Sequence, residues 1–466
     1  MQHGFFLDYS IQQTLQAYRK KMLDPVFVAE SMIRFVQNSD MIFNAWEHFD
    51  AEYFLQKALL ARENIQKGQL RALEGIPVGI KDIINTKYFQ TQMGSALWQG
   101  FCPGNDARVV YHVERAGGIM PGKTSSAEFG VHALSETTNP HDAAFSPGTS
   151  SSGSAVAVAT GMLPVALGTQ TAGSIVRPAS FCGVYGVKPS FGLIPRTGIL
   201  KTTDTLDSVG FFVSHVQDLA HALNVLRVSG KDYPFIHAAL DNYSLPEGSR
   251  KKPWRVGFVR SHTWDYAYDY AQKSMIDWVQ KLAGADGVEV EEVTMPEQVN
   301  NAHDVHRIIY NKSLAYYFQE EFKQKELVSE RMAELIEDGL IITVKDYHQA
   351  LADQRDMVCL VDDVFNDYDV LVSLSTAGQA PLRHEIELPD PALMWTMTYV
   401  PAVSAPVFRA PSGMPFGVQL VTRRYQDLHL FTFINHLVSL GLLPVSTYPT
   451  LKKARNSKLD HAEIGL

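Results

Sequence analysis

The chain is poor in cysteine: only Cys102, Cys182 and Cys359 occur in 466 residues, an odd and widely spaced set without a CxxC pair. Neither a disulfide framework nor a thiolate zinc site is predicted, and a reducing compartment fits. A basic run is also lacking. The 41 Lys and Arg stand against 50 Asp and Glu, a formal charge of −9, and no stretch forms a stripe that could track phosphates. Nucleic acid is therefore not expected as a direct partner. Long apolar runs are missing as well: those around 154–168 and 428–445 are broken by Gly161 and Pro164 or by Asn435 and His436, so no membrane-spanning helix is expected. The opening MQHGFFLDYS lacks a basic segment, an apolar stretch and a small-residue cleavage site; the expectation is a soluble cytoplasmic protein.

Motifs of several enzyme classes are absent too. No GxSxG supports a Ser-His-Asp hydrolase, and the 16 histidines include no HExxH pair that could hold a metal on one helix face. One decoy is present: Gly117 to Thr124 spells G-x-x-x-x-G-K-T. A phosphate loop needs a strand before it and a helix after it, whereas here a helical pattern precedes Gly117 and apolar Ile119-Met120 falls inside the supposed loop. Lys123-Thr124 is expected to support the fold or the site.

What is present reads as α/β. Apolar positions at helical spacing predict two helices over 11–37 with a break at Asp24-Pro25, and another helix over 52–67. GIPVGIKD then switches to a short strand closed by Lys81. From 107 to 190, ARVVYHVERA and SAVAVAT read as helices while GGIM and PVALG read as strands. The segment 215–365 carries long helical patterns, with Tyr310, Tyr316 and Tyr317 at spacing suited to packing or to a pocket wall, and strands return in VLVSL and FGVQLV. No internal repeat marks a separate module. The expected organisation is one domain over 1–466: N-terminal helices (1–70), a core (71–214), a mostly helical variable segment (215–365) and a return to the core sheet (366–466).

Residues 144–189 crowd Gly and Ser around a predicted helix and strand, in AFSPGTSSSGSAVAVATGMLPVALGTQTAGSIVRPASFCGVYGVKPS. Glycines let backbone approach a ligand closely, so successive N–H groups can face a developing negative charge. Such a run is also what a flexible linker looks like. Its placement around a helix and a strand, with a lone lysine closing another strand, is not explained by linker composition.

On these residues the chain resembles the amidase signature family. GIPVGIKD, PGTSSSGSAVAVATG and LGTQTAGSIVRPASFCGVYGVKPSFG carry the match, with a serine 24 positions after Ser150; NAW, GKTSSAEFG, VPAVSAP and GMPFGVQLV extend it more weakly. The resemblance implies a large twisted mixed β-sheet with helices on both faces. It implies an amidohydrolase acting through an acyl-enzyme, with Ser174 as nucleophile, Ser150 on a cis peptide as relay and Lys81 as base. It implies an oxyanion hole from the backbone of Thr171, Ala172, Gly173 and Ser174, and no metal or organic cofactor. A lysine with an ordinary pKa near ~10.4 can act as a base only when desolvated, and Val78, Ile80 and Ile83 flank Lys81.

Thr149, Gln170 and Ala172 depart from the common pattern, and an arginine stands three positions after Ser174, as Arg177. This spacing is similar to malonamidase-like small-substrate amidases, in which that arginine meets a substrate carboxylate. A structural ion pair is the other reading of Arg177. Thr149 is the companion substrate-binding candidate, and Ser152 and Gln170 are the supporting ones. The expected partner is a small amide, with a homodimer left open. Two alternatives stand beside this: the amidase subunit of a tRNA-dependent amidotransferase, and an inactive scaffold or binding protein on the same fold.

Overall fold

The computed structural model describes residues 3–228 and 253–447. Helix starts follow local capping chemistry. Ser10 and Gln13 exchange side-chain to backbone hydrogen bonds at the start of α1 (Ile11–Arg19), Asp24 caps α2 (Pro25–Phe43) with Pro25 in its first turn, and Asp50 caps α3 (Ala51–Gln66). The break expected at Asp24-Pro25 is there, as is the third helix.

Among the described residues eleven strands form one mixed sheet: β1 (Trp46–Phe49), β2 (Val78–Lys81), β3 (Gly122–Thr124), β4 (Val165–Gln170), β5 (Tyr185–Lys188), β6 (Ser208–Val213), β7 (Trp254–Val259), β8 (Val288–Val293), β9 (Val370–Leu374), β10 (Ala402–Arg409) and β11 (Pro415–Val421). Their order is β1-β3-β2-β4-β6-β5-β10-β11-β9-β7-β8. β2 runs parallel to β3 and β4, while β4 to β6 and the strands from β5 to β9 pair antiparallel. The variable segment thus carries helices and also two strands, β7 and β8, that extend the same sheet.

Strand alternation sorts side chains into cores on the two faces. Val165 and Leu167 of β4 join one cluster and Ala166 another; Val370 and Val372 of β9 join the first, and Leu371 a third. One face is covered by α4 (Arg108–Arg115), α7 (Asp218–Leu226), α8 (Asp269–Ala283) and α13 (Asp427–Ser439). The other is covered by α2, α3, α5 (Ser152–Ala159) and α6 (Val176–Cys182) at one end, and by α9 (Ala302–Tyr317), α11 (Val344–Val364) and α12 (Leu393–Met397) at the other. α10 (Glu330–Ile341) packs beside α9. With both faces covered, β2, β4, β5, β6, β9 and β11 are buried along their whole length. Among the described residues no helix is long and apolar enough to cross a membrane.

One expected strand moves. GGIM contributes only an isolated bridge from Ile119 to Pro77, and the strand proper starts at Gly122. Pro121 has no N–H to give a ladder, so pairing with β2 resumes after it, with Ile80 opposite Lys123. The phosphate-loop reading ends here as well: Lys123 lies in a strand, fully buried, 3.0 Å from Asp82. Lys123→Ala, which leaves Asp82 unpaired in the interior, is expected to lower the unfolding free energy by about 3–5 kcal/mol in urea titration. Added ATP should leave the melting temperature of wild type unchanged.

Candidate active site

Parallel strands β2 and β4 end at the same edge of the sheet, where ligands of open α/β folds collect. Lys81 closes β2, while Thr169 and Gln170 close β4. The chain enters β4 through α5, whose start carries Ser150 and Ser151, and leaves it through the turn 171–175 into α6. Residues 69 and 88 positions apart thereby meet: Lys81 Nζ lies 2.7 Å from Ser150 Oγ, 3.0 Å from Ser151 Oγ and 2.8 Å from Thr169 Oγ1. The Thr149-Ser150 peptide is cis.

Lys81 is 0% exposed, and among the described residues no carboxylate pairs with it. Burial holds its pKa well below the usual lysine range, and the nearby charge of Asp207 only partly opposes this. Asp207 is itself satisfied, accepting from the backbone of Thr202 and Thr203 and from the hydroxyls of Thr171, Thr202 and Thr203. A neutral amine has two protons and one lone pair. Ser151 already donates to Thr169 O at 3.1 Å, so it can only accept from Lys81. The lone pair is left to the hydroxyl proton of Ser150 or Thr169.

Ser174 is buried beside the turn, and its hydroxyl makes no hydrogen bond among the described residues, to Ser150 or to any other group. The backbone N–H groups of Thr171, Ala172, Gly173 and Ser174 likewise donate to no described acceptor. The turn is braced by its neighbours. Gln170 Oε1 accepts from the N–H groups of Ile175 and Val176 at 2.8 and 3.0 Å, so Gln170 supports the loop. A Cβ added at Gly173 would fall 1.7 Å from Asp390 Oδ2, which makes glycine obligatory there.

Other sequence-derived candidates land differently. Ser152 bonds Ser135 Oγ at 2.9 Å and does not reach Lys81; the supporting hydroxyls are Ser151 and Thr169. Ser152 opens α5, whereas Ser151 precedes it and faces the end of β4. Arg177 is enclosed: its guanidinium meets Glu387 at 2.9 Å, Asp390 at 3.1 Å and Thr149 O at 2.9 Å. Thr149 Oγ1 also accepts from Arg177, at 3.2 Å. Burial pushes the Glu387 carboxyl upward against the pull of Arg177. The ion-pair reading of Arg177 is the one this arrangement supports. Glu387, Asp390, Ser151, Thr169, Asp207, His306 and Thr396 all escaped sequence reasoning, and only Ser151 and Thr169 lie within the motif run.

A cavity of about 670 Å³ adjoins Thr149, Ala172 and Arg177, with His303, His306, Tyr310 and Leu335 on its far wall. A second, of about 220 Å³, adjoins Gly130, Thr169 and Thr171. Of the three tyrosines flagged in the sequence, Tyr310 lines the larger cavity and Tyr316 is exposed. Tyr317 bonds Asp204 on the surface at 2.8 Å. The turn 171–174 therefore stands between two cavities.

Comparison with known proteins adds to this picture. The family model described as Amidase matches residues 28–431. A relative described as a glutamyl-tRNA(Gln) amidotransferase subunit, from Koribacter versatilis, is 28% identical over 479 residues, spanning 94% of this chain and 99% of its own. The solved peptide amidase from Stenotrophomonas maltophilia superposes with a TM-score of 0.80 at 24% identity, covering 95% of this chain and 98% of its own. The corresponding glutamyl-tRNA(Gln) amidotransferase subunit of Thermotoga maritima does so with a TM-score of 0.74 at 22% identity, covering 95% and 98%. At these identities the solved structures establish the shared fold.

Arg177→Met should leave Glu387 and Asp390 as unpaired interior carboxylates and lower stability by about 3–5 kcal/mol in denaturant titration. If Arg177 served a substrate carboxylate instead, stability would hold and KM for half-amides of dicarboxylic acids would rise alone.

Proposed function

The chain belongs to the amidase family and is an amide-hydrolysing enzyme, and from that premise we propose that it cleaves carboxamides through Lys81, Ser150 and Ser174. The observation that carries the reading is a fully buried lysine whose three contacts are all hydroxyls, one of them Ser150. Desolvation, only partly opposed by the charge of Asp207, lowers the pKa of the amine and so favours the neutral form a base needs. In this reading the Ser174 hydroxyl, which has no acceptor among the described residues, turns toward Ser150 Oγ. Its proton then passes to Ser150 as the Ser150 proton moves to Lys81, and Ser174 Oγ attacks the amide carbonyl. The N–H groups of the 171–174 turn, which have no acceptor among the described residues, stabilise the oxyanion. The relay returns its proton to the departing ammonia or amine, and water hydrolyses the acyl-enzyme.

Two substrate classes remain in play, and the relatives favour one. Arg177, the residue that suggested a small carboxylate-bearing amide, already has two carboxylate partners. The relatives described as amidotransferase subunits instead support glutamine as the ammonia donor, with a partner protein receiving the ammonia. The test is ammonia release from glutamine and from a panel of simple amides, with the chain alone and with any protein that copurifies. Glutaminase activity confined to the complex supports the amidotransferase reading. Turnover of simple amides by the chain alone supports a free-standing amidase.

Whichever amide is turned over, Ser174→Ala should abolish ammonia release, and Lys81→Met should reduce it by about 10²–10⁴-fold. Because the base works uncharged, kcat/KM should fall as pH is lowered through the depressed pKa of Lys81. Lys81→Arg should be inactive across the whole range, since a guanidinium keeps its charge. A flat wild-type profile, or an active Lys81→Arg variant, would remove Lys81 from the relay.

A further inference from the structure

The peptide groups of the 171–174 turn are held by their carbonyls. Thr171 O lies 3.0 Å from Nε2 of His306 on α9. Ala172 O accepts from Thr396 Oγ1 of α12 at 2.5 Å, and Gly173 O accepts from the Arg177 N–H at 2.8 Å. In a trans peptide the C=O and the following N–H point in opposite directions, so fixing one aims the other. The carbonyls of residues 171, 172 and 173 thus set the N–H groups of Ala172, Gly173 and Ser174, which have no acceptor among the described residues.

Hydrogen counting shows that these clamps have one polarity each. A carbonyl only accepts, so His306 must carry its proton on Nε2. The ring is buried and its pKa is lowered to about 4, mainly by desolvation, so near neutral pH it has a single proton and spends it there. Gln170 Oε1 faces two N–H donors, which fixes its amide nitrogen as the donor to Thr396 Oγ1 at 2.9 Å. Thr396 has one hydroxyl proton. With Gln170 donating to its oxygen, that proton goes to Ala172 O, the shorter of its two carbonyl contacts.

We propose that His306 and Thr396 are positioning residues for amide hydrolysis, holding the Thr171 and Ala172 carbonyls so that the Ala172 and Gly173 N–H groups face the developing oxyanion. The inference rests on the reading of Ser174 as nucleophile. Neither side chain reaches Lys81, Ser150 or Ser174 by a hydrogen bond; each acts through a backbone group. Because the oxyanion exists only beyond the ground state, losing a clamp lowers kcat and leaves KM nearly untouched.

The test uses conservative pairs. Thr396→Val keeps the shape and removes the donor, while Thr396→Ser keeps the donor. His306→Gln places an amide nitrogen near the position of Nε2, and His306→Asn places it near Nδ1, out of reach of Thr171 O. Each variant is assayed for kcat and KM on the best amide found, and for affinity toward a boronic acid that forms a tetrahedral serine adduct. Thr396→Val and His306→Asn are expected to lose about ten- to a hundredfold in kcat, somewhat less than removal of a whole oxyanion donor. KM should stay within about twofold of wild type, and boronate affinity should fall in parallel with kcat, as transition-state binding requires. Thr396→Ser and His306→Gln should recover most of both. Equal kcat and boronate affinity within each pair, with Ser174→Ala inactive, would overturn the clamp and leave the nucleophile standing. Activity retained in Ser174→Ala would instead overturn the reading beneath it.

Discussion

The proposed chemistry turns on one buried lysine that forms no ion pair among the described residues. Lys81 has a carboxylate as its immediate neighbour in sequence, Asp82, yet the two do not pair. Successive residues at the end of a strand point to opposite sides. Asp82 therefore turns to Lys123 of β3, and Lys81 turns into the hydroxyls of Ser150, Ser151 and Thr169. Had the pair formed, Coulomb attraction would have held the ammonium charged and removed the base. One alternation step in the sheet thus separates the ion-paired Lys123–Asp82 from the amine of Lys81, the proposed base.

Two other buried lysines provide the contrast. Lys123 is also stripped of water, but Asp82 and Glu47 oppose the loss of its charge. Lys188, at the end of β5, meets the carbonyls of Val400 and Pro189, and its pKa is lowered to about 7. Carbonyls accept hydrogen bonds and donate none, so toward these two partners Lys188 can serve only as a donor. Lys81 alone among the three is surrounded by groups that both give and take a proton. Burial by itself does not mark a base; burial among hydroxyls does.

Much of the fold was readable because it depends on local chemistry. The helix break at Asp24-Pro25 and the helix expected over 52–67 are where the residue types placed them, and PVALG and VLVSL, read as strands, become β4 and β9. Lys81, Ser150 and the Gly-rich turn stood out through spacing and resemblance. Ser152 misled because a run of three serines does not reveal which hydroxyl precedes the first helical turn and so faces β4. Arg177 stayed ambiguous because its partners, Glu387 and Asp390, lie 210 and 213 positions away in a stretch with no motif. His306 and Thr396 were invisible for the same reason: each acts on a backbone carbonyl, and a carbonyl leaves no trace in the residue alphabet.

The same consideration explains why the motif run alone does not make a site. Between Gln170 and Arg177 the chain supplies the proposed nucleophile and the N–H groups, but of the three carbonyls at 171–173 only that of Gly173 is fixed from within the run, by the N–H of Arg177. The other two restraints come from α9, in the variable segment, and from α12, in the C-terminal part. Arg177 in turn ties Thr149 O, next to the relay serine, to carboxylates of the 387–390 stretch. Segments that line the larger cavity therefore also hold the backbone of the 171–174 turn. His306 belongs both to the wall of the larger cavity and to the support of the turn, so a change at this one residue acts on both.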